Sequence, residues 1–248
     1  MNFQDNSFII IKEKIQKRKI EIDIKEQKRL EKFRPVMEKI VKLTAKPEGR
    51  LARLIAKIME QQHEPVVDWA LKHINIHQDW KILDIGFGSG YNLFKFAKRA
   101  IKGTIYGIEI SEAMIKTASK RVNNENYDDR IVIIQASADS LPFRDDYFDL
   151  IVAVASVHYW NNPKKCFNEI YRALKPNGMF LTINNNFKHP DFKEYHDSLI
   201  EHSPSLKIYS PQEYYQFYKS AEFSDIKIYI VESENWICLL GQKKSNLY

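Results

Sequence analysis

The stretch Lys81-Ile-Leu-Asp-Ile-Gly-Phe-Gly-Ser-Gly90 constrains the fold more than any other part of this chain. An apolar run ends in an acid, three glycines follow at alternate positions, and a helix-like segment runs from Tyr91 to Ala100. Strand, glycine-rich turn and helix in that order hold a nucleotide-type ligand at the edge of a parallel sheet. Glycine lets the backbone turn sharply and approach a ligand where a Cβ would collide. A dinucleotide loop reads G-x-G-x-x-G and offers helix N-terminal amides to a pyrophosphate. Here the spacing is G-x-G-x-G, over Gly86, Gly88 and Gly90, with Asp84 two residues ahead. A carboxylate there repels a pyrophosphate and suits a cation, which disfavours an NAD-linked dehydrogenase on the same type of sheet.

The segments that follow keep one architecture. Gly103-Thr-Ile-Tyr-Gly-Ile-Glu109 reads as a second strand ending in an acid. Glu109 lies about 20 residues beyond the loop, where this topology places the carboxylate that binds ribose hydroxyls. Ser111 is positioned to cap a helix, and Ile110 and Met114 are placed for the face of a base. Ile131 to Ile134 is a third strand, Leu150 to Val154 a fourth and Met179 to Ile183 a fifth, the last entered through a Pro176-Asn177-Gly178 turn. Runs at Ile226 to Val231 and Trp236 to Leu240 complete an antiparallel pair. Alternating strands and helices predict an α/β fold with right-handed crossovers. The expectation is a Rossmann-like, doubly wound, seven-stranded, mostly parallel sheet with an N-terminal helical extension.

The acid and glycines of residues 84–90 resemble motif I of the class I S-adenosylmethionine (SAM) methyltransferases. Gln135-Ala-Ser-Ala-Asp-Ser-Leu-Pro-Phe143 and the later Phe148-Asp149 resemble the "D-A-x-x-L-P-F … F-D" signature of the type 11 group, which includes ubiquinone/menaquinone-type enzymes. Glu169-Ile-Tyr-Arg-Ala-Leu-Lys-Pro-Asn-Gly178 is similar to that family's "R-x-L-K-P-G-G" element. The resemblance is good from about Gly49 to Asn184. It implies SAM as cofactor, with Asp84 near the ammonium end, Gly86, Gly88 and Gly90 under the methionine and ribose, Glu109 on the ribose and Ile110 beside the adenine. Anchored on Leu141-Pro142-Phe143, the family's adenine-binding Asp falls on Ser137. This is a departure, because a hydroxyl accepts more weakly than a carboxylate. The Ala138 amide meets the ring nitrogen, and Asp139 is the lesser alternative for the missing contact.

A sulfonium methyl is already activated, so the protein mainly aligns the nucleophile and excludes water. A base helps when the nucleophile is a hydroxyl, an acidic carbon or a protonated amine. His158, in Ala155-Ser-Val-His-Tyr-Trp160 after the fourth strand, is the catalytic candidate, and imidazole titrates near working pH. His63 is second. Tyr91, Tyr159 and Trp160 are candidates for the pocket wall and for cation–π contact with the sulfonium. The chain lacks the Asn/Asp-Pro-Pro-Tyr/Phe motif of amine-modifying enzymes after the fourth strand, which leaves small-molecule O-, C- or N-methylation as the leading reading. The substrate pocket is expected from the N-terminal helices and the insert from about Asn185 to Glu222.

Composition sets the remaining bounds. At 248 residues the chain buries an ample core. Two cysteines far apart, Cys166 and Cys238, argue for a reducing, cytoplasmic setting and against disulfide, zinc or arsenite chemistry. No apolar run approaches the ~20 residues of a membrane span. The net charge of +6 resides in the first 50 residues, where fourteen Lys and Arg from Lys12 to Arg50 face seven Asp and Glu, and Asp5 adds one more acid. The reading assigns 1–48 to a basic helical arm, with a helix from about Lys25 to Leu43 broken at Pro35, and 49–248 to the SAM-binding domain. Leu51 to Ile74 is expected as a separate helical cover. The arm has few aromatic residues for base stacking, so packing or lid duty is preferred over nucleic-acid docking. The readings kept beside the leading one are an RNA or protein methyltransferase docked by the arm, and a SAM-binding protein without transferase activity. Oligomeric state is left open.

Overall fold

The computed structural model describes residues 9–12 and 52–245. The expected arm helix at 25–43, the alternating isoleucines at 20–24 and Pro35 lie outside the described residues. In chain order the elements are β1 (Ile9–Lys12), α1 (Ala52–Ala70), β2 (Lys81–Ile85), α2 (Tyr91–Ala97), β3 (Thr104–Glu109), α3 (Glu112–Asn124), β4 (Ile131–Gln135), β5 (Phe148–Val154), α4 (Pro163–Ala173), β6 (Leu174–Asn184), α5 (Lys193–His202), α6 (Pro211–Ser220), β7 (Ser224–Val231) and β8 (Trp236–Gln242). They build one sheet in the order β1-β7-β8-β6-β5-β2-β3-β4. Every pairing is parallel except those of β8 with β6 and β7. The seven expected strands are all present. An eighth, β1, adds at the outer edge, where Ile9–Lys12 pairs with Lys227–Ile230.

Side chains alternate across the sheet, so neighbouring residues of one strand join different cores. Ile82 and Leu150 point to the face covered by α1, α2 and α3, where they meet Val66, Trp69, Leu93, Phe96 and Val122. Leu83 and Ile151 point to the opposite face and meet Phe167 and Ile170 of α4 and Tyr214 and Tyr218 of α6. Both faces are buried, which is why β2 and β5 read as unbroken apolar runs. β2 and β5 are hydrogen-bonded neighbours, and the chain leaves them for opposite faces. Their carboxyl ends therefore border the crevice where such sheets take ligands.

Two local features refine the expected pattern. The Pro-Asn-Gly segment sits inside β6, within a bulge: Phe148 pairs with Leu174, but Leu150 pairs with Met179. Asn177 adopts φ +64° there, and its amide donates to the Lys243 carbonyl at 3.0 Å. The expected cover helix ends at Ala70 and tightens into a 3-10 turn over Leu71–His73. Among the described residues no helix is long and apolar enough to cross a membrane. Both cysteines are buried, and neither is in a disulfide.

Tyr218 ties α6 to the sheet. Its hydroxyl, fully buried, accepts from the Thr182 amide at 3.1 Å and donates to the Leu239 carbonyl at 3.0 Å, bridging β6 and β8. Tyr218→Phe leaves the Thr182 amide without this partner, so urea unfolding is expected to show a loss of about 1–3 kcal/mol.

Candidate active site

The loop after β2 is shaped by positive φ angles: +73° at Gly86, +56° at Gly88 and +83° at Gly90. L side chains rarely adopt these conformations. The Gly86 amide donates to the Ile108 carbonyl at 2.8 Å, which extends the β2–β3 ladder by one step. A Cβ on Gly86 would lie 2.7 Å from the Ser156 Cβ, whereas a Cβ on Gly88 would have nothing within 4 Å. The first glycine therefore allows close packing against the β5 end. The second leaves open room above the loop.

Glu109 ends β3 beside this loop. One carboxylate oxygen accepts from the Gly88 amide at 3.1 Å. The other accepts from Ile110 and Ser111 at 2.8 and 2.9 Å. Ser111 in turn caps α3 by accepting from the Met114 amide. The same acid thus fixes the glycine loop and the start of the next helix.

Asp84 is 1% exposed, and neither of its oxygens has a hydrogen-bond partner. It lies behind the loop and is not among the residues lining the cleft. Burial, reinforced by Glu109, pushes its carboxyl up to about 8. An unpartnered buried carboxylate is costly, so Asp84 carries its charge readily only when a cation sits nearby.

The cleft encloses about 260 Å³. The glycine loop, Glu109, Ile110, Met114, Ser137, Ala138 and Asp139 form one part of its lining; His63, Asn92, Ser156, Tyr159 and Trp160 belong to another. Asp139 is held below the ordinary carboxylate range, first by the Ser137 hydroxyl and also by Lys165 at 3.6 Å. Ser137 and Asp139 both lie on this wall. Cys166 also lines the cleft, and burial pushes its thiol up to about 12, so it is no nucleophile.

α1 grips the loop from outside. Glu60 accepts from the Ser89 hydroxyl and pairs with Arg121 of α3 at 2.9 Å. One turn on, Glu64 accepts from the Tyr91 hydroxyl, which pushes that phenol up to about 12. Positions 60, 63, 64 and 67 share a helix face, so His63 is carried to the cleft along with the two acids. Pro65 within α1 leaves the Gln61 carbonyl without its helical amide partner.

His158 stands in a 3-10 turn after β5, as its place in the sequence implies, but its ring is not on the cleft wall. Its Nδ1 is 2.7 Å from the Lys207 carbonyl, and its Nε2 is buried without a partner. Burial holds the imidazole down to about 4. The direction of the ring follows from Ala155, where φ of +47° redirects the chain as it leaves the strand. Tyr91, Tyr159 and Trp160 do line the cleft.

Residues 83–182 match the model of a methyltransferase-domain family. The methyltransferase YdaC of Bacillus subtilis is 33% identical over 121 residues, which cover 49% of this chain and 65% of that one. The ubiquinone/menaquinone biosynthesis C-methyltransferase UbiE of Pectobacterium carotovorum is 29% identical, over 48% of this chain and 47% of its own. The 2-methyl-6-phytyl-1,4-hydroquinone methyltransferase 1 of rice is 28% identical, over 61% and 43%. The chain thus spans between 43% and 65% of the length of these curated relatives. The fold is also that of a SAM-dependent methyltransferase from Aquifex aeolicus, with TM-score 0.60, 19% identity and coverage of 74% and 92%. Residues 83–182 thus resemble a methyltransferase-domain family, and the chain shares the fold of a solved SAM-dependent methyltransferase.

Proposed function

We propose that this protein transfers a methyl group from SAM to a small-molecule acceptor. The observation that carries the reading is the pairing of an open, positive-φ glycine loop with a buried, unpartnered Asp84 behind it and Glu109 beside it. The room above Gly88 and the uncompensated carboxyl fit a ligand with a cationic end. Glu109 is placed for ribose hydroxyls, Ile110 and Met114 for the adenine face, and Ser137 with the Ala138 amide for its polar edge. SAM supplies an electrophilic methyl on a sulfonium sulfur, which keeps the bond pair and leaves as a neutral thioether. The residues of the chain align an acceptor through Tyr159 and Trp160 and exclude water by closing α1 over the loop. Relatives named for ubiquinone/menaquinone biosynthesis and for a phytyl hydroquinone support an aromatic acceptor.

Calorimetric titration of SAM into the wild type and into Asp84→Ala tests the reading. Saturable binding that weakens at least about tenfold in the variant is expected, corresponding to roughly 1.4 kcal/mol. A folded wild type that takes up no SAM refutes it.

A further inference from the structure

The hydrogen-bonding character of the cleft wall limits what an acceptor can be. No lysine or arginine is among the described lining residues. Three cations close to this lining are already paired: Arg121 with Glu60 at 2.9 Å, Lys165 with Asp139 at 3.6 Å, and Lys95 with Asp68 at 2.6 Å. The acids are committed as well, Glu60 to Arg121 and Ser89, Asp139 to Lys165 and Ser137, and Glu109 to three backbone amides. An acceptor bearing a phosphate or carboxylate would find no unpaired lysine or arginine among the described lining residues, and burying an unpaired charge is costly.

Two hydrogen-bond acceptors stand out on the wall. Asn92 lines the cleft, and its Oδ1 is buried without a partner. His63 lines the cleft, half-buried, on the inner face of α1. Burial, and His158 behind it, hold its imidazole down to about 4. A neutral imidazole always presents one ring nitrogen as a lone pair. His158 cannot take this role from where it stands, because its ring lies off the wall and one nitrogen is engaged by Lys207.

We infer that the methyl acceptor is an uncharged hydroxyl compound, and that its hydroxyl donates to a ring nitrogen of His63. The inference rests on the methyl-transfer reading above and deepens it. His63 then serves O- and C-methylation alike: drawing the hydroxyl proton toward nitrogen leaves the electron pair on oxygen, or delocalised onto an attached aromatic ring. A proton taken up by the imidazole is returned readily, since burial disfavours the charged ring.

The test uses the whole 248-residue chain saturated with S-adenosylhomocysteine, whose binding is first checked by calorimetry. Failure at that first step would count against the SAM reading itself, before the acceptor is addressed. The complex is then titrated with 4-methylphenol, phenyl phosphate and benzylamine while the histidine ring resonances are followed, with His63 assigned from His63→Gln. Saturable binding of 4-methylphenol that moves the His63 ring, at least about tenfold tighter than the two charged probes, is expected. His63→Ala should weaken 4-methylphenol about fivefold, the equivalent of one hydrogen bond. An unmoved His63 ring, no binding of 4-methylphenol, or equal binding of phenyl phosphate or benzylamine overturns the inference, and the wild-type spectra decide this even if the variants fail to fold.

Discussion

Asp84→Asn is expected to make the ligand-free protein more stable at pH 8 while it weakens SAM binding. The carboxyl of Asp84 titrates near 8 in the fold, against an ordinary value near 4 in the unfolded chain. Between those values the folded state holds a proton that the unfolded state has lost, so stability falls as pH rises. His63 and His158 act in the opposite sense. Their folded values near 4 lie below the unfolded value of 6.5, so their contribution is lost as pH falls through that interval. The two slopes oppose each other between about pH 4 and 6.5, and the Asp84 slope stands alone above that. From pH 6.5 to 8 it amounts to about 2 kcal/mol, or roughly 5 °C in melting temperature. Asparagine keeps the shape and removes the titration. Melting curves at both pH values should show the wild type dropping and the variant level. Parallel curves would mean that Asp84 is not buried in a proton-binding state.

Gly86→Ala and Gly88→Ala are expected to fail for different reasons. At Gly86 the new methyl meets the Ser156 Cβ at 2.7 Å on a backbone at φ +73°. The neighbour is the root of a side chain at the end of β5, so relief requires the two strand ends to part. A loss of about 3 kcal/mol is expected, combining backbone strain and overpacking. At Gly88 the methyl enters open space at φ +56°, so strain alone costs about 1–2 kcal/mol. That open space is the ligand's, however. Gly88→Ala should therefore stay folded and lose SAM affinity, whereas Gly86→Ala should lose melting temperature first. Urea unfolding and SAM calorimetry on both variants separate the two; equal stability loss at both positions would contradict the packing described here.

What the sequence made legible follows from which forces act locally. The apolar runs of β2 and β5 are buried on both faces, and that burial is written in composition. Ser111 as a helix cap depends on residues within a few positions, whereas the Pro176–Gly178 turn is absorbed into β6 as part of a bulge. Positions 60, 63 and 64 could be read as one helix face, but nothing in them names Ser89, Arg121 and Tyr91 as partners, since those lie about 27 to 61 residues away. The side chain of His158 was the hardest to place. Its position after a strand was readable, but its direction depends on a positive φ at Ala155 and on the carbonyl of Lys207, 49 residues further on. Ser137 and Asp139, the two candidates for the adenine contact, both line the cleft.

The place of β8 between β6 and β7 has a consequence for the order of assembly. The strands around the glycine loop, from β2 to β6, are contiguous in sequence and can pair as they leave the ribosome. β7 finds no sheet partner among them, because β8, made after it, supplies the intervening ladder. β1, synthesised first, must wait longest, since its partner residues Lys227–Ile230 lie more than 200 positions later. Such long-range pairings are slow to form. A nascent chain therefore carries the crevice half of the sheet well before the outer half closes, with the β6 edge open in the interval. That open edge is where a folding helper would act and where aggregation would begin.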